Sequence, residues 1–156
     1  MEQMVYAAMG FDSRLVSEAW RKRMNWKTEA IQRLEGYWAV RQSLKNIPME
    51  LKRLESEARM LENLEQYADA RLENLIRRQE LSRALEQAKA HTALTEQAFE
   101  CLCREELRLL ELFYIRPRWG NVNRLCIELG LAKSTLYRKR DATLRKFALA
   151  LYGTAA

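Results

Sequence analysis

Basic and hydroxyl-bearing side chains are concentrated between residues 133 and 145. If Leu136 faces a core, the opposite face of a helix through this segment is polar and includes Ser134 and Arg138. Side chains of these types donate hydrogen bonds to base edges in the major groove and to phosphate oxygens. The segment is therefore predicted to bind double-stranded DNA through Lys133, Ser134, Thr135, Tyr137, Arg138, Lys139, Arg140 and Arg145.

Position along the helix predicts how these residues divide the contacts. Ser134, Tyr137 and Arg138 lie in the first turns, the part of a recognition helix that enters the major groove, and are expected to read bases. The cations at the sides or farther along are expected to contact mainly phosphates: Lys133, Lys139, Arg140 and Arg145.

A helix-turn-helix is predicted to position this face. Helices are expected over 122–129 and 133–152, after a loop over 115–121 that Pro117 and Gly120 bracket. Cys126 is small enough for a close helix crossing, and Gly130 can adopt the positive φ that the turn requires. The apolar wedge between the two helices is expected to consist of Leu125, Leu129, Leu131 and Leu136.

The charge of the chain is distributed unevenly. Residues 1–103 hold 16 lysines and arginines and 16 acidic residues, whereas residues 104–156 hold 11 and 5. The whole net charge of +6 therefore lies in the last third of the chain. A charge-balanced segment followed by a compact basic one is typical of an assembly element that carries a nucleic-acid binder.

The C-terminal sequence resembles the fourth region of bacterial sigma factors, in which a helix-turn-helix reads a promoter element. The resemblance is carried by Leu107–Tyr114 and by the run from Leu129 to Phe147. The segment Leu109–Ile115, the pattern Tyr-Arg-x-Arg-Asp-x-x-Leu-x-x-Phe and the terminal Leu-Tyr-Gly are more similar to the RinA/ArpU-type phage transcriptional regulators. Those proteins also begin with a helix like Ala30–Tyr37, and the resemblance implies a transcriptional regulator of phage type.

Two residues depart from the sigma-like pattern. Ala132 stands where Ser or Thr usually caps the recognition helix, a difference expected to cost about 1 kcal/mol unless Ser134 or a phosphate compensates. Arg140 stands where an apolar residue is common, so its stem is expected to cover the core while its guanidinium reaches a phosphate. No residue carries over the family's contact with RNA polymerase.

Upstream, helical patterns alternate with candidate breaks. Helices are expected over 12–24 and 27–46, and Pro48 is predicted to end the second of them and begin a helical hairpin. A heptad-like apolar stripe then continues from Leu51 to Leu75, with a bend expected near 63–70, where Glu65 interrupts it. Thr95 is expected to cap the next helix.

These elements together predict an all-α chain, in which a helical hairpin or coiled-coil-like segment precedes a sigma-region-four-like helix-turn-helix domain. Expected boundaries are 1–26 for an N-terminal segment with a short helix, 27–92 for the hairpin region and 93–156 for the DNA-binding domain. A seam as narrow as the Leu51–Leu75 stripe must fold back or pair with another chain, so a homo-oligomer is expected.

Other chemistry has little support in the sequence. His91 is the single histidine, and Cys101, Cys103 and Cys126 lack zinc-site spacing, so neither catalysis, a metal site nor a cofactor is expected. No phosphate-cradling glycine loop or nucleophile motif is present, which argues against a small-molecule substrate. Without a membrane-length apolar run or an export signal, a cytoplasmic location is expected.

Two further functions compete with the regulator. A phage small-terminase-like packaging protein also joins a helix-turn-helix to helical assembly segments, but normally in the reverse order along the chain. A non-enzymatic coiled-coil adaptor could use the basic segment to bind acidic protein instead of DNA. RNA polymerase is a further candidate partner of the regulator.

Overall fold

The computed structural model describes residues 25–153 and contains five α-helices and no strand within that range, so the predicted all-α fold class is confirmed. The predicted helix over 12–24 lies outside the described residues. The helices are α1 (Trp26–Leu61), α2 (Ala68–Phe99), α3 (Arg104–Leu110), α4 (Asn121–Leu129) and α5 (Lys133–Tyr152). A 3-10 turn (Glu65–Tyr67) precedes α2, and a π-helical turn (Glu111–Ile115) follows α3.

The described chain divides into two compact units. We call residues 25–35 with 97–153 the terminal unit, and residues 36–96 the hairpin unit. Residues 27–35, which the sequence analysis assigned to the hairpin region, therefore lie in the same compact unit as the helix-turn-helix. The reason is packing, because Ala30 and Leu34 are fully buried in one core with Leu144 and Phe147.

The hairpin unit contains the bend that the interrupted stripe predicted. Helix α1 ends at Leu61, and α2 begins at Ala68 after the 3-10 turn. The sequence predicts that the apolar stripe continues through the bend to Leu75. This prediction is wrong, since Leu72 and Leu75 are 57% and 43% exposed. Because the turn interrupts the helix, the heptad phase of α1 is not transferred to α2.

Pro48 does not end a helix, which corrects the predicted break at 46–48. Helix α1 continues from Trp26 to Leu61 with Pro48 inside it. A proline at this position removes one backbone hydrogen bond and crowds the preceding turn. Helical residues on both sides, among them the buried Tyr37 and Leu54, pack within the hairpin unit, and this packing outweighs the local preference.

A polar network joins the two helices of the hairpin unit. The Tyr37 hydroxyl donates to Glu96 Oε1 (2.7 Å), and Arg41 Nη1 donates to both the Tyr37 oxygen (2.8 Å) and Glu96 Oε1 (3.1 Å). Burial and the hydrogen bond to Glu96 raise the pKa of Tyr37. The network supplies partners for a largely buried phenol.

Thr95 does not cap a helix, contrary to the sequence prediction. It lies inside α2, fully buried, and its hydroxyl donates to the His91 carbonyl (2.9 Å). The break comes later, and α3 begins after Cys103, whose backbone N–H donates to Glu106 Oε1 (3.0 Å). A threonine that bonds back to the preceding turn of its own helix fits the interior as well as a cap.

The terminal unit is built around α5. Phe147 is fully buried against Phe99, with ring centroids 5.5 Å apart. Ion pairs at the surface link α3 to its neighbours: Glu106 pairs with Lys146 of α5 (3.0 Å), and Arg108 pairs with Glu128 of α4 (3.3 Å). Within residues 25–153, no helix combines the length and apolar character that a membrane crossing needs.

Candidate nucleic-acid interface

The predicted wedge between α4 and α5 is present. Leu125 and Leu136 are fully buried in a small core with Leu109 and Leu112. Leu129, Leu131 and Cys126 are partly buried and pack against that core. The side of α5 that carries Leu136 is therefore fixed, which leaves its opposite side free to contact a ligand.

Gly130 makes the sharp corner between these helices. Its φ of 65° lies in the left-handed region, as predicted. The N–H groups of Gly130 and Leu131 both reach the Cys126 carbonyl, the latter at 3.0 Å. A bond from the second residue beyond a helix back into its last turn is the mark of a Schellman-type ending.

Helix α5 begins without a side-chain cap. Ala132 occupies the N-cap position in an extended conformation, and no side chain accepts from the first turn. Ser134 and Thr135 are exposed, and their hydroxyls form no hydrogen bond within residues 25–153. The free backbone N–H groups of this turn and its positive dipole end form a surface suited to an anion.

Six of the eight predicted contact residues are exposed on the first two turns of α5, and five of them have no aromatic or charged partner among the described residues. None of their side chains forms an ion pair or hydrogen bond inside the described part of the chain: Lys133, Ser134, Thr135, Arg138 and Lys139. Arg138 lies two positions after the buried Leu136 and so projects from the opposite side of the helix. This group holds the donors that the sequence assigned to bases and phosphates.

Tyr137 and Arg140 are placed differently from the other predicted contacts. The Arg140 guanidinium carbon lies 4.9 Å from the Tyr137 ring centroid and 5.2 Å from that of Phe113. Arg140 also pairs with Asp141 (3.2 Å). The arginine at a usually apolar position thus packs between two aromatic rings, where its stem and its charge are both partnered.

Arg145 is also partnered, by a residue that the sequence did not identify. Its guanidinium carbon lies 5.8 Å from the centroid of Trp26, and the neighbouring Lys27 pairs with Asp141 (3.5 Å). The start of α1 therefore flanks the middle of α5. No periodicity near residue 133 points to Trp26, because this contact joins segments more than 100 residues apart.

An open groove of about 440 Å³ adjoins the start of α5. Arg118, Trp119 and Asn123 line it from the loop and α4, and Lys133 and Tyr137 line it from α5. Trp119 is fully exposed. An indole in open solvent beside two cations can stack on a nucleic-acid surface.

The preceding π-helical turn positions this loop. The Arg116 N–H donates to the Glu111 carbonyl (2.7 Å), five residues back, and the buried Asn121 side chain donates to the Leu112 carbonyl. Asn121 thereby satisfies a carbonyl that the widened turn leaves available. This contact was missed at the sequence level, because the pattern predicts only a loop ending at that residue.

The terminal unit has few groups suited to metal binding. Across residues 25–153, no three His, Cys, Asp or Glu side chains lie close enough together to hold a metal ion. Cys101 and Cys103 are exposed free thiols, and Cys126 is half-buried in the wedge.

Comparison of the chain with models of known protein families, with curated proteins and with solved structures gives no match.

Proposed function

We propose that this protein is a sequence-specific DNA-binding transcriptional regulator of phage or prophage type, which inserts the first turns of α5 into the major groove. The observation that carries the proposal is the group of exposed, unpaired donors from Lys133 to Lys139 on a helix whose other side is locked by the Leu136 wedge. An anchored helix with free donors loses little conformational freedom when it binds.

The distribution of partners refines the roles of the predicted contacts. Arg138 projects away from the wedge without an ion-pair partner among residues 25–153, and it is the residue best suited to bidentate recognition of guanine. Arg140 and Arg145 already contact aromatic rings, so they shape the surface and add positive potential. Lys139 is exposed at the side of the helix and supplies a phosphate contact.

The loop before α4 extends the same surface. Arg118 and Trp119 share an open groove with Lys133 and Tyr137. A phosphate backbone that passes this groove meets cations and the uncapped start of α5 together. The role in transcription, and any contact with RNA polymerase, rests on the resemblance to phage regulators and is part of the proposal.

Selection of bound genomic fragments with the purified protein tests binding, specificity and target together. Enrichment of promoter-proximal sites supports the regulator, whereas enrichment of a packaging site would favour the small-terminase-like function. Failure to retain any DNA at low salt would leave the adaptor that binds acidic protein.

Substitutions in the protein, measured on the selected DNA site, then test the exposed side of α5. Arg138→Ala is expected to cost about 1–3 kcal/mol of binding free energy and to relax preference at one base position. Lys139→Ala is expected to weaken all sequences alike and to reduce the salt-dependence slope by about one unit. Leu149→Ala, on the exposed far end of the same helix, is the matched control. Unchanged affinity and preference in Arg138→Ala would refute this face.

A further inference from the structure

The start of α2 buries a polar side chain and exposes aliphatic ones. Asn74 is buried at 3% exposure in the hairpin unit, whereas Leu72, Leu75 and Ile76 are 57%, 43% and 47% exposed. Spacings of three and four residues place these aliphatic side chains on one face of the helix, which we call the α2 stripe. An amphipathic helix that packs only against its hairpin partner has the opposite arrangement.

The buried amide fixes the rotation of α2. Asn74 Nδ2 donates to the Leu54 carbonyl (2.9 Å), and its Oδ1 accepts from Arg78 Nε (2.8 Å). Rotating the helix to bury the α2 stripe would break the bond to Leu54 on α1, whereas the bond to Arg78 lies within α2 and would turn with the helix. The stripe is therefore held in solvent by the hairpin itself, and only another surface can cover it.

The charges around the stripe indicate what that surface is. Glu65 and Asp69 lie before the stripe, and Arg83 lies beyond it. All three are exposed, and none forms an ion pair inside the described ranges. One end of the patch is thus acidic and the other basic, with aliphatic side chains between them. A patch of this kind is complementary to itself when it is reversed.

We propose that the α2 stripe binds the same stripe of a second copy of this chain, with the two α2 helices antiparallel. A two-fold axis that crosses the stripe at the level of residue 74 sets Leu72 opposite Ile76 of the second copy, and Glu65 opposite Arg83 of the second copy. A parallel pair would instead align acidic ends with each other. The interface is isologous, so each residue contributes twice.

Sedimentation velocity of the full chain without DNA tests the pairing. We expect a dimer of twice the 18.4 kDa chain mass, and a monomer for Leu72→Glu combined with Ile76→Glu. Met49→Glu, at a 70% exposed position of α1, should remain dimeric, and circular dichroism should show equal helicity in all three proteins. A monomeric wild type, or a dimer that survives the double substitution, would overturn the proposal.

Charge reversal tests the antiparallel arrangement without altering the stripe. Arg83→Glu alone, and Glu65→Lys with Asp69→Lys, should each weaken self-association on the order of tenfold, because like charges meet at both ends. Mixing the two variants should restore a dimer of wild-type strength, since the hybrid pairs opposite charges at both ends. Absence of this rescue would refute the antiparallel arrangement. These measurements contain no DNA, so they test self-association separately from the proposed function.

Discussion

Replacing Ala132 should separate the stability of α5 from the DNA affinity that we propose for it. Ala132 has φ −70° and ψ 153°, the extended conformation of an N-cap, but it offers no acceptor to the first turn of α5. Ala132→Ser and Ala132→Asp each supply that acceptor. Either should raise the free energy of unfolding by about 1 kcal/mol, and Asp should add a few tenths by interacting with the helix dipole.

The two substitutions should differ in DNA binding. If the start of α5 lies against a phosphate, a carboxylate about 6 Å away at an effective dielectric constant of about 50 costs on the order of 1 kcal/mol. Ala132→Asp is therefore expected to bind DNA about fivefold more weakly than Ala132→Ser, although both are more stable than the wild type. The difference should shrink as salt is added.

Urea unfolding and fluorescence anisotropy with the selected DNA measure the two quantities on the same samples. Equal affinity of the Asp and Ser variants at low salt would show that no phosphate approaches this helix end. A lack of stabilisation in both variants would show that the first turn of α5 is already satisfied in solution. Either result would refute a different step of the reasoning.

Further predictions concern the supports of the site. Leu136→Ala should lower the free energy of unfolding by about 2–5 kcal/mol, whereas Leu149→Ala, 48% exposed on the same helix, should cost less than about 1 kcal/mol in the same urea titration. The raised pKa of Tyr37 means that its contribution is complete below its ordinary pKa of about 10 and is lost as pH rises through the folded value. Tyr37→Phe should accordingly flatten the stability profile above pH 10, as followed by circular dichroism. Asn121→Leu leaves the Leu112 carbonyl without its side-chain donor and should cost about 1–3 kcal/mol in thermal unfolding.

The helix-turn-helix could be predicted from sequence because its determinants are local. Gly130 adopts the positive φ that its position requires, and Leu125 and Leu136 occupy the wedge at the expected offsets. Helix α5 begins and ends at the predicted residues, and Ala132 lacks a cap as expected. Short-range spacing is sufficient where turn chemistry and apolar period agree.

The long helices were predicted less well because distant contacts decide them. Pro48 has a strong local preference for a break, yet packing within the hairpin unit outweighs it. Thr95 fits a cap and a helix interior equally well, and its bond to His91 selects the interior. The exposed Leu72 and Leu75 cannot be distinguished from seam residues without knowing where the turn resets the phase.

The candidate site also combines features that the sequence predicts with features that depend on distant contacts. Exposure of Lys133 and Arg138 follows from helical period alone, once Leu136 is placed inside. The partners of Arg140 and Arg145 do not, because Phe113 and Trp26 reach α5 from other elements. The sequence therefore predicts which of these side chains are exposed, but it does not show which cations already have partners within the protein.

The π-helical turn over Glu111–Ile115 depends on one residue more than a regular helix would hold. Its bond from Arg116 to Glu111 spans one residue more than an α-helical bond does. Removing one residue would return this bond to the α-helical spacing of four residues and would displace a side chain that the turn now directs, such as the buried Leu112. The extra residue therefore aims Leu112 into the core and its carbonyl toward the Asn121 side chain.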